Sequence, residues 1–258
     1  NTYTIGAVLA PGASSPWLSG FRAPVDYYNI AIDDAIATIP VSVSLNKCFN
    51  ADGSNAAYDA ANFYCALIGR DAASGGITNA LQPFLNLGGY RTAGVDVQLD
   101  WAVRLADVGI GGGSGRFGIS SVINYLDKFE IQNLPGAPFQ DFARTIGSGT
   151  TLPRWRSTTS FTYGTDRFNA LLRWRHVGAM EDASMVTNAA STTPGVKAHD
   201  YFDLSLRVDP AERFSVRFGV NNLFDKTPPV VSGVLGQTDA GTYDVLGRTF
   251  YLAATARF

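Results

Sequence analysis

The residues of this 258-residue chain whose types could do chemistry are two cysteines, two histidines, a glycine run and a set of arginines and aspartates. Cys48 and Cys65 bracket a polar stretch, where they would be either free thiols or one disulfide. His176 and His199 flank a segment holding Glu181 and Asp182, with Asp200 next to His199, and such side chains can bind a divalent metal. Their spacing matches no ligand motif, so solvated residues and no metal are expected. A serine hydrolase needs a Ser, a His and an orienting partner held together. His176 is the one histidine inside an alternating segment, but no Ser on that segment or in evident reach completes the set, so no catalytic residues and no enzyme are expected. The run from Gly109 to Gly115 matches no dinucleotide or phosphate-loop pattern and has no helix after it. It reads as a flexible turn, and no cofactor is implied.

These residues are positioned by segments that are apolar at every second place, the signature of strands with two unlike faces. Phe250, Leu252, Ala254, Ala256 and Phe258 alternate with Thr249, Tyr251, Ala253, Thr255 and Arg257. Phe214, Val216, Phe218 and Val220 oppose Ser215, Arg217, Gly219 and Asn221, and Phe202, Leu204, Leu206 and Val208 oppose Tyr201, Asp203, Ser205 and Arg207. Phe168 to Arg175 and Val95 to Arg104 repeat the pattern. Nine strands are expected, near residues 3–10, 20–37, 77–106, 114–130, 152–164, 167–179, 199–209, 213–226 and 246–258. Tight turns at Gly164–Arg167 and Asp209–Arg213 are built from turn-forming residues. They alternate with long polar loops at Ala37–Gly76, Lys128–Thr151, Ala179–Ala198 and Thr227–Val245. Long and short connections alternate in this way in an antiparallel up-and-down barrel whose two rims face different compartments.

Composition narrows the class further. Only 16% of residues are charged, 46% are hydrophobic, and the net charge is -2. Disorder and charge-rich helical folds are excluded, and a general nucleic-acid binder would need a basic face that this balance does not provide. No stretch is long and apolar enough for a transmembrane helix, and the opening lacks the basic region of a signal peptide. Residue 1 falls directly into a patterned segment, as in a cleaved or truncated chain. A soluble β-sandwich would also alternate apolar and polar residues. The placement of Trp17, Trp101, Trp155, Trp174, Tyr3, Tyr27, Tyr163 and Tyr251 beside the apolar faces favours a membrane barrel with aromatic girdles.

The stretches from Tyr201 to Arg207, from Val216 to Pro229 (VRFGVNNLFDKTPP) and from Tyr243 to Phe258 (YDVLGRTFYLAATARF) resemble the end of TonB-dependent outer-membrane receptors. Val25–Ile36 and Asn86–Trp101 look like earlier strands of the same barrel. The resemblance implies an all-β fold, an antiparallel transmembrane β-barrel segment of about nine strands corresponding to the last strands, 14 to 22, of a 22-stranded barrel. Residues 1–258 would then be the C-terminal portion of the barrel, with the plug domain and its TonB-contacting box absent from this chain.

The same resemblance implies active uptake across the cell outer membrane of a Gram-negative bacterium, driven by the TonB complex acting through the missing plug. The substrate would be a bulky, scarce small molecule or metal chelate such as a ferric siderophore, a vitamin or an oligosaccharide. A passive porin or an outer-membrane enzyme is the alternative. Outer-membrane lipid would meet the apolar face. Arg154, Arg156, Arg173, Arg175, Arg207, Arg217, Asp96, Asp100 and Asp203 would face the lumen, because a charge facing lipid at the midplane costs about 2 to 4 kcal/mol. There they would pair with the plug and with each other, or guide an anionic solute; Arg154, Arg156, Arg173 and Arg175 are the candidate substrate-binding residues. In an exported chain Cys48 and Cys65 are expected to form a disulfide.

Overall fold

The computed structural model describes residues 1–11, 15–111, 113–147, 150–232 and 236–257. The chain divides into two compact units. The larger comprises residues 2–30, 92–129 and 141–258, and the smaller comprises residue 1 with residues 31–91 and 130–140.

The larger unit is organised by nine long antiparallel strands. They are β1 (Thr2–Leu9), β2 (Ala23–Thr38), β3 (Phe84–Arg104), β4 (Arg116–Gln132), β5 (Trp155–Gly164), β6 (Phe168–Val177), β7 (His199–Ala211), β8 (Phe214–Asn221) and β9 (Thr249–Ala256). Each pairs with its neighbour in sequence, so the order in the sheet is the order in the chain. β2, β3 and β4 run on into the smaller unit. β1 and β9 are the edges of this order, and the sheet is a partial, unclosed barrel.

Register fixes the two faces, since directly paired residues point the same way. Leu172, Leu204, Val220 and Phe250 align across four strands, as do Ala170, Leu206, Phe218 and Leu252. The other face carries Leu171, Ser205, Gly219 and Tyr251, and beside them Asn169, Arg207, Arg217 and Ala253. Gly219 is required here: a Cβ on it would lie 2.0 Å from the ring of Tyr251, which covers that position.

Aromatic residues gather at both ends of the apolar face. At one end Trp17 stacks on Trp101 with centroids 6.5 Å apart, Phe117 meets Trp101 edge-on, and Tyr163 packs on Phe168. At the other, Tyr125 packs on Trp155 and Trp174 stacks on Phe202. Trp155 and Tyr163 are eight positions apart on β5, a span of roughly 26 Å along the strand at a strand's rise per residue. That length suits the apolar band of a membrane barrel, about 25 Å tall. Between the girdles the Ser121 and Thr159 hydroxyls, buried on this same face, satisfy each other at 2.8 Å.

The short and long connections alternate as expected. Thr165 N–H closes the β5–β6 turn on Phe168 O at 2.7 Å. β7 runs to Ala211 through a register shift after Val208, so the next turn is tighter than the Asp209–Arg213 expected. β8 stops at Asn221 rather than near 226, because Asn222 takes a positive φ of 52° and its amide bonds to Lys226 N–H and O. In the glycine turn Gly109 and Gly111 adopt positive φ, and Gly112 lies outside the described residues, as does Phe258 at the end of the expected last strand.

In the smaller unit the expectation of a plain polar loop over Ala37–Gly76 fails. Helix α1 (Val41–Cys48) follows Pro40, and α2 (Phe63–Ala66) is capped by Asn62, whose side chain accepts from Tyr64 N–H at 2.9 Å. Cys48 and Cys65 form a disulfide between the two helices. Ile39, Leu67 and Leu134 are buried together, with Val43, Tyr64 and Leu85 packed against them. Ile77–Ala80 does not extend β3 but pairs with Ile68–Arg70 as a hairpin, the chain being interrupted at Pro83, which cannot donate to a ladder. Around Asp52 the Ser54 hydroxyl, the Lys47 ammonium and the Ser54 N–H hold the carboxyl down at about 2.

Candidate functional site

The site builds upward from the polar face of β6, β7 and β8. Asp203 and Arg175 lie on neighbouring strands, and the guanidinium reaches diagonally to chelate the carboxylate, Nε at 3.1 Å and Nη2 at 3.3 Å. Its other edge holds Asp244, Nη1 to Oδ1 at 3.0 Å with a second contact from Nη2. Asp203 also accepts Asn222 N–H at 2.9 Å. One arginine thus clips the long 222–248 connection onto the wall, in the two-sided geometry for which guanidinium is suited. The clip is half-buried, and Arg175 lies over the Tyr201 ring, 4.9 Å from its centroid.

Beyond the clip the long connections fold onto the polar face and make a small apolar core of Ile146, Val177, Met180, Val196, Tyr201, Val231 and Tyr243. Tyr201 and Tyr243 are 1% and 2% exposed, respectively. Burial, with Tyr201 and Asp239 nearby, pushes the Tyr243 hydroxyl up to about 12. Burial also opposes ionisation of Asp239, but hydrogen bonds from Thr151, Thr242 and Gly241 outweigh it and hold its carboxyl below the ordinary range. Next to the clip an open cleft of ≈ 470 Å³ is lined by Arg173, Arg175, Asp203, Asn221, Tyr243 and Leu246, among others.

The four arginines proposed for substrate contact therefore differ. Arg175 is occupied by its two carboxylates. Arg173, opposite Asp203 and Ser160 in register, is exposed and makes no ion pair among the described residues. Arg156 is exposed on the same face, opposite Asn124 and Val177. Arg154 donates to Asp127 O at 3.1 Å, outside the strand proper.

Asp96 accepts from Asn124 at 2.6 Å and Asp100 from Ser120 at 2.8 Å, placing both on the polar face of β3, while Arg173, Arg175, Arg207 and Arg217 lie on β6 to β8. Arg207 and Arg217 are direct cross-strand partners, an arrangement that strand spacing alone does not reveal.

The histidines separate. His199 turns to the polar side, its Nε2 3.1 Å from Thr227 O, whereas His176 lies on the apolar face with Nδ1 2.8 Å from Asp200 Oδ1. Trp174 Nε1 donates to the same carboxylate oxygen at 2.8 Å. Glu181 pairs instead with Arg144 at 2.6 Å, and Asp182 caps Ser184 N–H. Among the described residues no three such side chains gather as a metal site. The register does supply a serine that the sequence concealed: Ser157 is directly opposite His176, with Asp200 on the far side. Ser157 makes no hydrogen bond to the imidazole, so the three do not form a nucleophile and base.

The family model described as "TonB dependent receptor-like, beta-barrel" matches residues 1–223. No curated protein matches the sequence. A mutant of the ferric enterobactin receptor PfeA from Pseudomonas aeruginosa, in complex with enterobactin, is similar at a TM-score of 0.60 and 15% identity, covering 100% of this chain and 31% of that one. The ferric-catecholate import receptor Fiu from E. coli gives 0.53 at 15% identity, covering 100% and 27%, and the copper transporter OprC gives 0.52 at 13%, covering 100% and 31%. The chain spans less than a third of the length of each of these receptors.

Proposed function

Because the chain belongs to the TonB-dependent receptor β-barrel family, we propose that it is the C-terminal portion of an outer-membrane receptor of a Gram-negative bacterium. In this reading it supplies barrel wall and outer loops for active uptake of a bulky, scarce solute. The apolar face meets lipid and the polar face lines the lumen. The plug domain and the TonB complex that acts on it are partners lying outside this chain. One observation carries the reading: the family match over residues 1–223 includes β6 to β8, whose register keeps one apolar and one polar face. A metal chelate is the substrate class most in keeping with the similar structures, which include ferric-siderophore receptors and a copper transporter. Arg156 and Arg173, exposed on the polar face and without ion pairs among the described residues, are the residues of the sequence-predicted set best placed to touch an anionic chelate.

Deletion of the gene in its host, followed by growth with a panel of ferric chelates as sole iron source, tests this. At least one chelate should cease to support growth, and inactivating TonB should reproduce that loss. Unchanged growth and unchanged uptake of vitamins and oligosaccharides would end the transport reading.

A further inference from the structure

We infer that His199 is a proton-operated latch, fastening the connection after β8 to the head of β7 when its imidazole is protonated and loosening it when the ring is neutral. Both ring nitrogens aim at carbonyl oxygens, Nδ1 at 3.3 Å from Lys197 O and Nε2 at 3.1 Å from Thr227 O. A carbonyl can only accept. A neutral imidazole has one N–H, so it donates to one of the two and turns a lone pair on the other, whereas the imidazolium donates to both. The ring is 8% exposed, so solvent does little to relieve the mismatch. A buried nitrogen left facing an acceptor is costly.

Every group in this contact belongs to the chain itself, and the ring is already closed off by it. Val177 stands directly opposite His199 on β6, and the rings of Tyr243 and Tyr201 lie 5.3 and 6.0 Å away. Asp200 turns to the other face, toward His176 and Trp174. The Lys197 side chain is exposed. Arg175, which holds Asp203 and Asp244, lies over the Tyr201 ring. Asp239, held below the ordinary carboxylate range, stays ionised where histidine titrates, and Tyr243, raised to about 12, stays neutral there. His199 is the group of this core suited to change charge between about pH 5 and 8. Because the docked arrangement favours the proton, the hold is whole at the acid end and is lost as pH rises through that range. The Arg175 clip grips the far end of the same connection through Asp244, so the latch governs the end that begins at Thr227. The inference does not rest on the transport reading.

The test is electron paramagnetic resonance of a spin label attached at Lys226→Cys in the purified full-length receptor in detergent, read at about pH 5 and about pH 8. Lys226 is exposed, and its main chain makes the bonds to Asn222, so the label leaves the latch in place. The ratio of mobile to immobile label should rise about threefold or more from the lower pH to the higher, as the loss of one hydrogen bond at a buried ring implies. His199→Gln, whose amide does not titrate, should abolish the pH dependence, and His176→Gln should keep it. If His199→Gln does not assemble, His199→Asn serves with the same expectation. Equal mobility at both pH values with His199 present, or a label that tightens as pH rises, overturns the latch. So does a pH dependence that survives the loss of His199 or vanishes with His176. Mobility is read without any solute, so the transport reading can fail separately.

Discussion

Leu206 and Ser205 are adjacent in sequence and face opposite ways, Leu206 against Ala170 and Phe218, Ser205 against Leu171 and Gly219. Leu206→Arg places a charge among apolar side chains that would meet hydrocarbon in the proposed receptor, at a cost of about 2 to 4 kcal/mol near the midplane. Ser205→Arg puts the same charge on a face that already holds Arg207. Heat-modifiable mobility of the full-length receptor in outer-membrane fractions should therefore be lost or reduced for the first variant and close to normal for the second. Tyr243 makes a pH prediction. Its hydroxyl, ordinarily at 10, is raised to about 12 in the folded chain, so the stabilisation from keeping it neutral is whole below pH 10 and disappears as pH climbs through 12. Limited proteolysis across that window should show cleavage between 222 and 248, and Tyr243→Phe should lessen the change. Arg175→Met should expose the same segment at neutral pH, at a cost of about 1 to 3 kcal/mol for two carboxylates deprived of their partner. The arginines were legible as members of the polar face, because a period of two needs only local sequence. That Arg175 belongs to Asp244, 69 positions away, was not, because a loop carries no periodicity from which its docking can be read.

At the scale of elements, the alternation located all nine strands and erred mainly at their ends, where a bulge after Val208, Asn222 at positive φ and Pro83 decide matters one residue at a time. Helix α1 was hidden for a different reason. Val41-Ser-Val-Ser-Leu45 alternates and is β-branched, so its local preference is for a strand. It is helical where Val43 packs against Ile39, Leu67 and Leu134 and the disulfide ties its last residue to α2. The helix should accordingly depend on that bond. Cys48→Ser with Cys65→Ser should destabilise the smaller unit by about 3 kcal/mol, the loop-closure value for a link of this span. Hydrogen exchange should quicken over residues 41–66 and not over β5 to β8. Labelling of the unreduced, unfolded wild type should detect no thiol, and two labelled cysteines would contradict the pairing.

For the whole molecule, the two edges matter most. Among the described residues β1 and β9 each present an unpaired row of backbone donors and acceptors, a ready template for association. Residues 1–258 expressed alone should give aggregates or heterogeneous oligomers and no heat-modifiable monomer, whereas the full-length receptor should give one. A monodisperse, heat-modifiable 1–258 would mean that this sheet closes on itself. The placement of Asp96 and Asp100 on β3 and of Arg217 on β8 would have a consequence for a solute in the proposed receptor. Adjacent strands lie about 4.8 Å apart, so those aspartates and Arg217 on β8 are separated by roughly 24 Å along the sheet. That is more than two screening lengths at physiological salt, where fields decay over about 8 Å. A small ion drifting down the middle of a wet passage would feel neither side. A body wide enough to touch both walls would feel a torque, and the wall would turn it to one azimuth before letting it advance.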